Sequence, residues 1–545
     1  RVALAQINPY VGDFSGNAEK VLRFVDHARQ GQCDLVVFPE LALAGYPPRD
    51  LLDEPCFFRA SRRHWPRLQE ASRDIGIVCG AVAENESGFG KPYHNAALFF
   101  SGGELIACAH KMLLPSYDVF DEERYFEPAQ STTWVDYQGE RVGITICEDI
   151  WNLAEYVPQG LYRCNPIGEL RKASVNVIVN ISASPFHMGK TASVTRLLRT
   201  QAAQAKAWIL HVNQVGGNDE LIFPGHSMAL DPSGNVVACG DDFREDLVVV
   251  DTRTREGDFH GRDLDQVSEV LEALVLGLRD YSLKCGFEKM VLGLSGGVDS
   301  ALTACVAVLA LGADKVMGVA VPGPYNAPES LLDAEELARQ LGISFSVIPI
   351  GDLFAKACEV LAPVFDGLPP DVTEENLQAR LRGTILMSLS NKFNRLLLST
   401  GNKSEVAVGY CTLYGDMNGG LAVLGDVPKT LVYQLARKLN KEYGWIPERT
   451  LVRAPSAELR PDQKDQDTLP AYEVLDAILA LYMEKRLPVA EIVARGFDEE
   501  VVRWVIRQVN RNEYKRRQAP PILRVTTRAF GMGRRIPIAH GFREI

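Results

Sequence analysis

The stretch that decides the fold is Met290–Thr303, "MVLGLSGGVDSALT". An apolar run enters Ser295-Gly296-Gly297, and a second begins after Asp299-Ser300. This reads as strand, tight turn, helix. Glycines let backbone N–H groups turn inward, and the start of a helix adds partial positive charge, so the turn suits phosphate. A Walker loop would end in Gly-Lys-Ser/Thr, and this one does not. Ser295 and Ser300 supply hydroxyls. Asp299 supplies a carboxylate, which beside phosphates makes most sense as a Mg²⁺ ligand.

Outward from this loop the chain alternates β and α. "VMGVAV", "FSVIPI" and "RLLLST" read as strands, and Ser300–Leu311 and Ser330–Leu341 as helices. That alternation predicts a parallel, doubly wound sheet with helices on both faces. The first half has a different pattern. Short β-runs such as "VALAQI", "DLVVFPE", "RVGITICED" and "WILHVNQVGG" are interrupted by helices at Asn17–Arg29 and Thr191–Ala207. Several runs are apolar throughout, as in strands covered on both faces. The polar segment 251–263 is the best linker candidate, dividing the chain into domains 1–255 and 256–545.

The length of 545 residues requires more than one core. A net charge of −12 disfavours nucleic acid as a partner. No apolar run has the length of a membrane span. Eleven cysteines without metal-type spacing suggest reduced thiols, and with no signal peptide visible they predict a cytoplasmic protein. The histidines show no ligand spacing and read as structural.

Three strand ends in the first half carry groups suited to amide hydrolysis: Glu40 in "VVFPEL", Lys111 in "HKMLLP" and Cys147 in "ITICEDIW". A thiol can attack the carbonyl, a carboxylate can move the proton, and an ammonium can stabilise the oxyanion. Taken alone, a cysteine in such a strand is more often core than nucleophile. Glu148 and Asp149 read as groups that orient the turn.

S-G-G-x-D-S after a strand resembles the loop of the ATP pyrophosphatase family. "STGNKSEVAVGYCTLYGD" and "PSAELRPDQKDQDTLP" narrow that resemblance to NAD⁺ synthetases. F-P-E, H-K-x-L-L-P and C-E-D, in that order, resemble the nitrilase (carbon–nitrogen hydrolase) superfamily. The two together resemble the arrangement of the glutamine-dependent NAD⁺ synthetase family. The resemblance implies a nitrilase-like αββα sandwich followed by a Rossmann-like sheet of ATP pyrophosphatase type. It also implies ATP-dependent amidation of deamido-NAD⁺ through an adenylate, with ammonia taken from glutamine and passed internally.

By the same match, Glu40, Lys111 and Cys147 are catalytic, and Tyr117, Ser184 and Lys190 bind glutamine. Gly293, Leu294, Ser295, Gly296, Gly297, Val298, Asp299, Ser300 and Thr400 bind ATP. Asn376, Glu405 and Lys515 bind deamido-NAD⁺, and Asp299 and Glu405 hold Mg²⁺. Lys429 reads as a further cation or as an exposed lysine. Where related enzymes often carry Ser-Ser after the Tyr of P-x-x-Y, this chain has Asn326-Ala327, a change expected to alter local hydrogen bonding. The resemblance further implies a homo-oligomer, an octamer or tetramer in preference to a dimer. Synthetases of GMP, asparagine or argininosuccinate share the S-G-G-x-D-S loop, as do tRNA-modifying enzymes. GMP and asparagine synthetases use other glutaminases, and the acidic charge disfavours tRNA. A non-catalytic sensor would be expected to lack Cys147, Glu40 or Asp299, and all three are present.

Overall fold

The structure is a computed structural model and describes residues 1–153 and 161–542. The chain separates into two compact units, Arg1–Leu264 and Asp265–Ile545.

The first unit is two sheets face to face with helices outside. In a seven-stranded sheet Val2–Gln6 lies between Asp246–Asp251 and Leu35–Val37, and Leu35–Val37 is the central strand. A six-stranded sheet runs Glu140–Ile146, Val177–Ser182 and Trp208–Asn213 side by side in parallel. Alternation along each strand sorts the side chains. Leu4, Val37, Val78 and Phe99 meet Ile144, Val179 and Leu210 between the sheets. Ala3, Val36 and Ile77 face outward beneath Val21, Phe24 and Val25 of the helix Phe14–Gln30. On the other side Ile178 and Ile209 are covered by Leu170, Leu197 and Leu198. Each such aliphatic side chain contributes roughly 1.5–3 kcal/mol on burial. Both strand faces are therefore apolar, which is why these strands read as unbroken apolar runs.

Two details differ from the sequence reading. "WILHVNQVGG" is two strands, Trp208–Asn213 and Val215–Asn218, because Val215 donates its N–H to Ile7 and leaves the sheet. The segment 251–263 is not wholly a linker: Glu256–Gly257 pairs as an edge strand with Asp246–Asp251.

The second unit holds a five-stranded, all-parallel sheet. Its spatial order is Ser344–Val347, Val316–Ala320, Met290–Gly293, Leu396–Ser399, Leu421–Ala422. The strand order reverses between Met290–Gly293 and Leu396–Ser399, and a crevice at such a switch point is where doubly wound sheets bind ligands. The phosphate loop and the turn at Thr400 lie at the carboxyl ends of those two strands. Beside the sheet a helical cluster packs Leu475 and Ile478 against Val502, Val505, Ile506 and Val509. The last four lie on one face of the helix Glu499–Arg511 at the spacing of an amphipathic helix.

Candidate active sites

In the first unit the sheets bring Glu40, Lys111 and Cys147 to one place. Glu40 follows the strand Leu35–Val37 in a turn that packs closely on the next strand. A Cβ on Gly80 would lie 2.3 Å from both Pro39 O and Leu41 N, so only glycine admits that turn. Lys111 follows Glu104–His110, and Cys147 opens a short 3-10 turn after Glu140–Ile146. Cys147 has φ 45°, a conformation a β-carbon disfavours, and such strain gathers at functional turns.

The charges are fully enclosed. Lys111 and Glu40 are both 0% exposed. Lys111 Nζ donates to Glu40 Oε1 at 2.7 Å and to both oxygens of Glu122 at 2.8 Å. Two carboxylates outweigh its desolvation and hold the amine protonated well above the usual lysine range. Glu40 also accepts from Asn95 Nδ2 at 2.6 Å and from the N–H of Ala183 at 2.8 Å. Burial pushes the Cys147 thiol well above its ordinary range; Glu40 adds to this and Lys111 opposes it. Cys147 is thus a neutral thiol that needs a base, and Glu40 is the charged group that acts on it most. Burial raises Glu122 to about 7, against the pull of Lys111.

Asp149 joins the two turns. Its carboxylate accepts from the N–H groups of Met112, Leu113 and Ile146 at 2.9–3.0 Å. Glu148, in the same turn as Cys147, accepts from Tyr117 Oη and Tyr162 Oη, both at 2.8 Å. Ser184 is buried, and its N–H donates to Asn213. Lys190 opens the helix Lys190–Ala205, donates to Pro185 O at 2.7 Å and lies 5.7 Å from the Trp151 ring centroid. Glu122, Asn95 and Tyr162 escaped the sequence reading. "DEER" offers three adjacent acids, and only the tertiary fold selects Glu122 as the buried one.

In the second unit the phosphate loop joins Met290–Gly293 to the helix Val298–Leu311, whose start has no side-chain cap. Its first N–H groups have no intrahelical carbonyl to meet. Gly296 has φ +82°, and a Cβ there would lie 2.3 Å from Ser330 O. Ser295 Oγ and Ser300 Oγ are 3.2 Å apart, and Ser300 Oγ donates to Gly297 O. Gly293, Leu294 and Val298 supply the backbone of the turn. Thr400 sits at the turn after Leu396–Ser399, partly exposed.

Asp299 and Glu405 are brought together across one ammonium. Lys429 Nζ donates to Asp299 Oδ2 at 2.5 Å and to Glu405 Oε1 at 3.1 Å. Lys429 is 2% exposed, which overturns the exposed-lysine reading; neighbouring carboxylates hold it charged despite burial. Asn402 ties the pair further. Its Oδ1 caps the helix Lys403–Val408 at Glu405 N, and its Nδ2 donates to Asp299 Oδ1 at 2.9 Å. The Asn-x-x-Glu spacing is a helix-start signal that could have revealed this role. Tyr472 Oη donates to Asp465 at 2.7 Å and lies 3.2 Å from Glu405. Burial raises Glu405 to about 7.

Asn376 and Lys515 converge on the loop 409–412. Asn376 accepts from Thr412 Oγ1, and Lys515 Nζ donates to Gly409 O and Cys411 O at 2.8 Å. A cavity beside them is lined by Ser399, Gly401, Glu405, Cys411, Asp416 and Met417. At the Asn326-Ala327 departure, Asn326 accepts from Gly323 N and Arg382 and donates to Glu458, so both ends of its amide are engaged.

Two carboxylates alone do not make a closed metal cage. Among the described residues no group of three or more His, Cys, Asp or Glu forms one. The oxygen donors do fit a hard divalent ion that keeps waters and takes phosphate oxygens as its other ligands. Several histidines are engaged elsewhere: His226 with Asp242, His211 with Asn180, and His94 stacked on His110. No helix among the described residues is long and apolar enough to cross a membrane.

The two units match two family models, Carbon-nitrogen hydrolase over residues 1–256 and NAD synthase over 270–519. The glutamine-dependent NAD(+) synthetase of Synechocystis sp. is 46% identical over 550 residues, covering 99% of each chain. That of Acinetobacter baylyi is 44% identical and covers 100% of this chain and 99% of its own. The structure of glutamine-dependent NAD+ synthetase from Acinetobacter baumannii in complex with adenosine diphosphate aligns with TM-score 0.78 and 42% identity, covering 98% of each chain. The chain belongs to the glutamine-dependent NAD⁺ synthetase family.

Proposed function

We propose that this chain amidates deamido-NAD⁺ to NAD⁺ at the expense of ATP, with nitrogen from glutamine, and releases AMP, diphosphate and glutamate. The observation that carries this reading is a buried thiol–carboxylate–ammonium site and a phosphate loop with paired acids in one chain whose relatives match end to end.

In the region 1–255, Cys147 Sγ attacks the glutamine amide carbon as Glu40 takes the thiol proton. The tetrahedral intermediate collapses, and Glu40 returns the proton to the departing ammonia. Water, deprotonated by Glu40, then cleaves the thioester to glutamate. All three Lys111 bonds go to carboxylates, so it meets the oxyanion by exchanging one of its two bonds to Glu122. Tyr117, Ser184 and Lys190 hold the amino-acid end of glutamine, with Glu148 behind Tyr117.

In the region 256–545, residues 293–300 and Thr400 hold ATP. A nicotinate carboxylate oxygen attacks the α-phosphorus, and diphosphate leaves. Ammonia then attacks the acyl adenylate, and AMP leaves. Asn376, Glu405 and Lys515 bind the dinucleotide. Mg²⁺, held by Asp299 and Glu405, would offset charge on the phosphates. Ammonia passes internally, because free in water near pH 7 it is mostly protonated and unreactive.

The protein acts as a homo-oligomer, an octamer or tetramer. The helix Gly351–Phe365 buries none of its residues in the single chain, and Val360 and Val364 are 64% and 79% exposed. Such an apolar face is suited to a second copy. All eleven cysteines are free, which fits the cytoplasmic location proposed for this enzyme.

The test supplies ATP, Mg²⁺ and deamido-NAD⁺ with either glutamine or ammonium, and follows NAD⁺ and AMP. Cys147→Ala is expected to lose glutamine-driven synthesis and keep ammonium-driven synthesis. Release of ADP in place of AMP, or glutamine use by Cys147→Ala, would overturn the reading.

A further inference from the structure

The helix Lys429–Tyr443 carries Lys429 at its first position, yet its own preceding residue, Pro428, offers no side-chain cap. The exposed ends of a helix need partners for their N–H groups. Here they come from two other elements. Lys429 N–H donates to Ser404 Oγ at 2.9 Å, one residue before Glu405. Thr430 donates its N–H and its hydroxyl to Asp476 Oδ2 at 2.9 and 2.8 Å. Ser404 Oγ in turn donates to Asp476 Oδ1. Ser404 is 0% exposed and Asp476 is 9% exposed. One carboxylate thus clasps the helix that carries Glu405 to the helix that carries Lys429. Asp476 stands one turn beyond Tyr472 on the helix Tyr472–Leu479, so one face of that helix touches Glu405 through Tyr472 and anchors Lys429 through Asp476.

We infer that Asp476, acting through Ser404 and Thr430, is a positioning residue that sets the separation of Lys429 and Glu405 for the synthetase reaction. Both of its carboxylate oxygens are taken up by Ser404 and Thr430. The inference rests on the function proposed above. Its physical content is geometric: a helix end capped from outside can shift when the cap is removed, and a displacement of about 1 Å at a reacting centre can cost about a hundredfold in rate.

The test compares Asp476→Ala, Asp476→Asn and Ser404→Ala in the full-length enzyme. The amide of Asp476→Asn can still accept from Thr430 and can donate to Ser404 Oγ, so it keeps the clasp and removes the charge. With ammonium as nitrogen source, Asp476→Ala is expected to lower kcat at least tenfold. KM for ammonium should stay within about threefold, and glutamine hydrolysis within twofold. Asp476→Asn should stay within threefold of the starting kcat, and Ser404→Ala should fall between the two. A kcat for Asp476→Ala within twofold, counted per folded molecule, overturns the inference. So does an Asp476→Asn as impaired as Asp476→Ala, because charge and not geometry would then be the cause. A crystal structure of Asp476→Ala gives a readout independent of the reaction: Lys429 Nζ should have moved from its 3.1 Å contact with Glu405. If Asp476→Ala does not fold, Ser404→Ala carries both measurements, and an unchanged kcat together with an unchanged contact refutes the idea. A parent enzyme that makes no NAD⁺ would sink the proposed function while leaving the structural comparison readable.

Discussion

Each unit contains a lysine between two carboxylates, and the two differ in access. Lys111, Glu40 and Glu122 are 0%, 0% and 5% exposed. Lys429 is 2% exposed, but Asp299 and Glu405 are both 18% exposed. The first arrangement is complete: every Lys111 proton has a carboxylate oxygen, and Glu40 has backbone and amide donors besides. The second sets one ammonium against two carboxylates and is open on its carboxylate side, beside a phosphate loop whose helix start is uncapped. A closed site suits covalent chemistry on a small neutral amide, where burial keeps proton transfers local. An open site suits substrates that bring their own charge and counter-ion.

The sharpest way to break this comparison is to remove one working group from each site. Cys147→Ala should lower glutamine hydrolysis by on the order of 10⁴–10⁶-fold, as loss of a nucleophile does, with the ammonium-driven rate within about twofold. Asp299→Ala should lower NAD⁺ formation from either nitrogen source by about 10²–10³-fold and leave glutamine hydrolysis measurable. Steady-state assays of both half-reactions check the pair. Equal losses in both assays for both variants would erase the distinction between the sites.

Stability should separate the two lysines next. Lys111→Met strands two buried acids and should cost the first unit about 3–5 kcal/mol. Lys429→Met should cost less, because solvent reaches Asp299 and Glu405. Denaturant unfolding of the full chain, followed separately by hydrogen exchange in each unit, measures both.

The smallest effect concerns pH. Burial raises Glu122 to about 7, above its value in an unfolded chain. The folded chain therefore binds a proton that the unfolded chain releases between about pH 4.5 and 7. This contribution is present at low pH and is lost as pH rises through that window, by at most about 1.4 kcal/mol per pH unit. Glu122→Gln should flatten that slope. A slope unchanged in the variant would show that Glu122 is not the group responsible.

The nucleotide-binding half was legible locally. Its phosphate loop, with Gly296 forced by the approach of Ser330 O, is a contiguous piece of chain whose residue types state their own geometry. The proposed glutaminase site was legible only as fragments. Nothing local distinguishes Cys147 from a core cysteine; what does so is the positive φ after a strand and the company of Glu40, 107 positions earlier in the sequence. Glu122, Asn95, Tyr472 and Asp476 could not be read, because each acts through a partner on another element of the fold. The two readings of Lys429 stayed open for the same reason, since burial is a property of what packs around a residue.

The sequence by itself determined the alternation of strands and helices, the tight glycine turn between strand and helix, and the identities of the thiol, acids and amines at the strand ends. These depend on backbone sterics and side-chain chemistry over a few residues. Only the tertiary structure decided which acids face which lysine, which of those sites is sealed, and which distant carboxylate clasps the helix of Lys429. Those outcomes depend on desolvation and on distances between segments that meet only when the chain has folded.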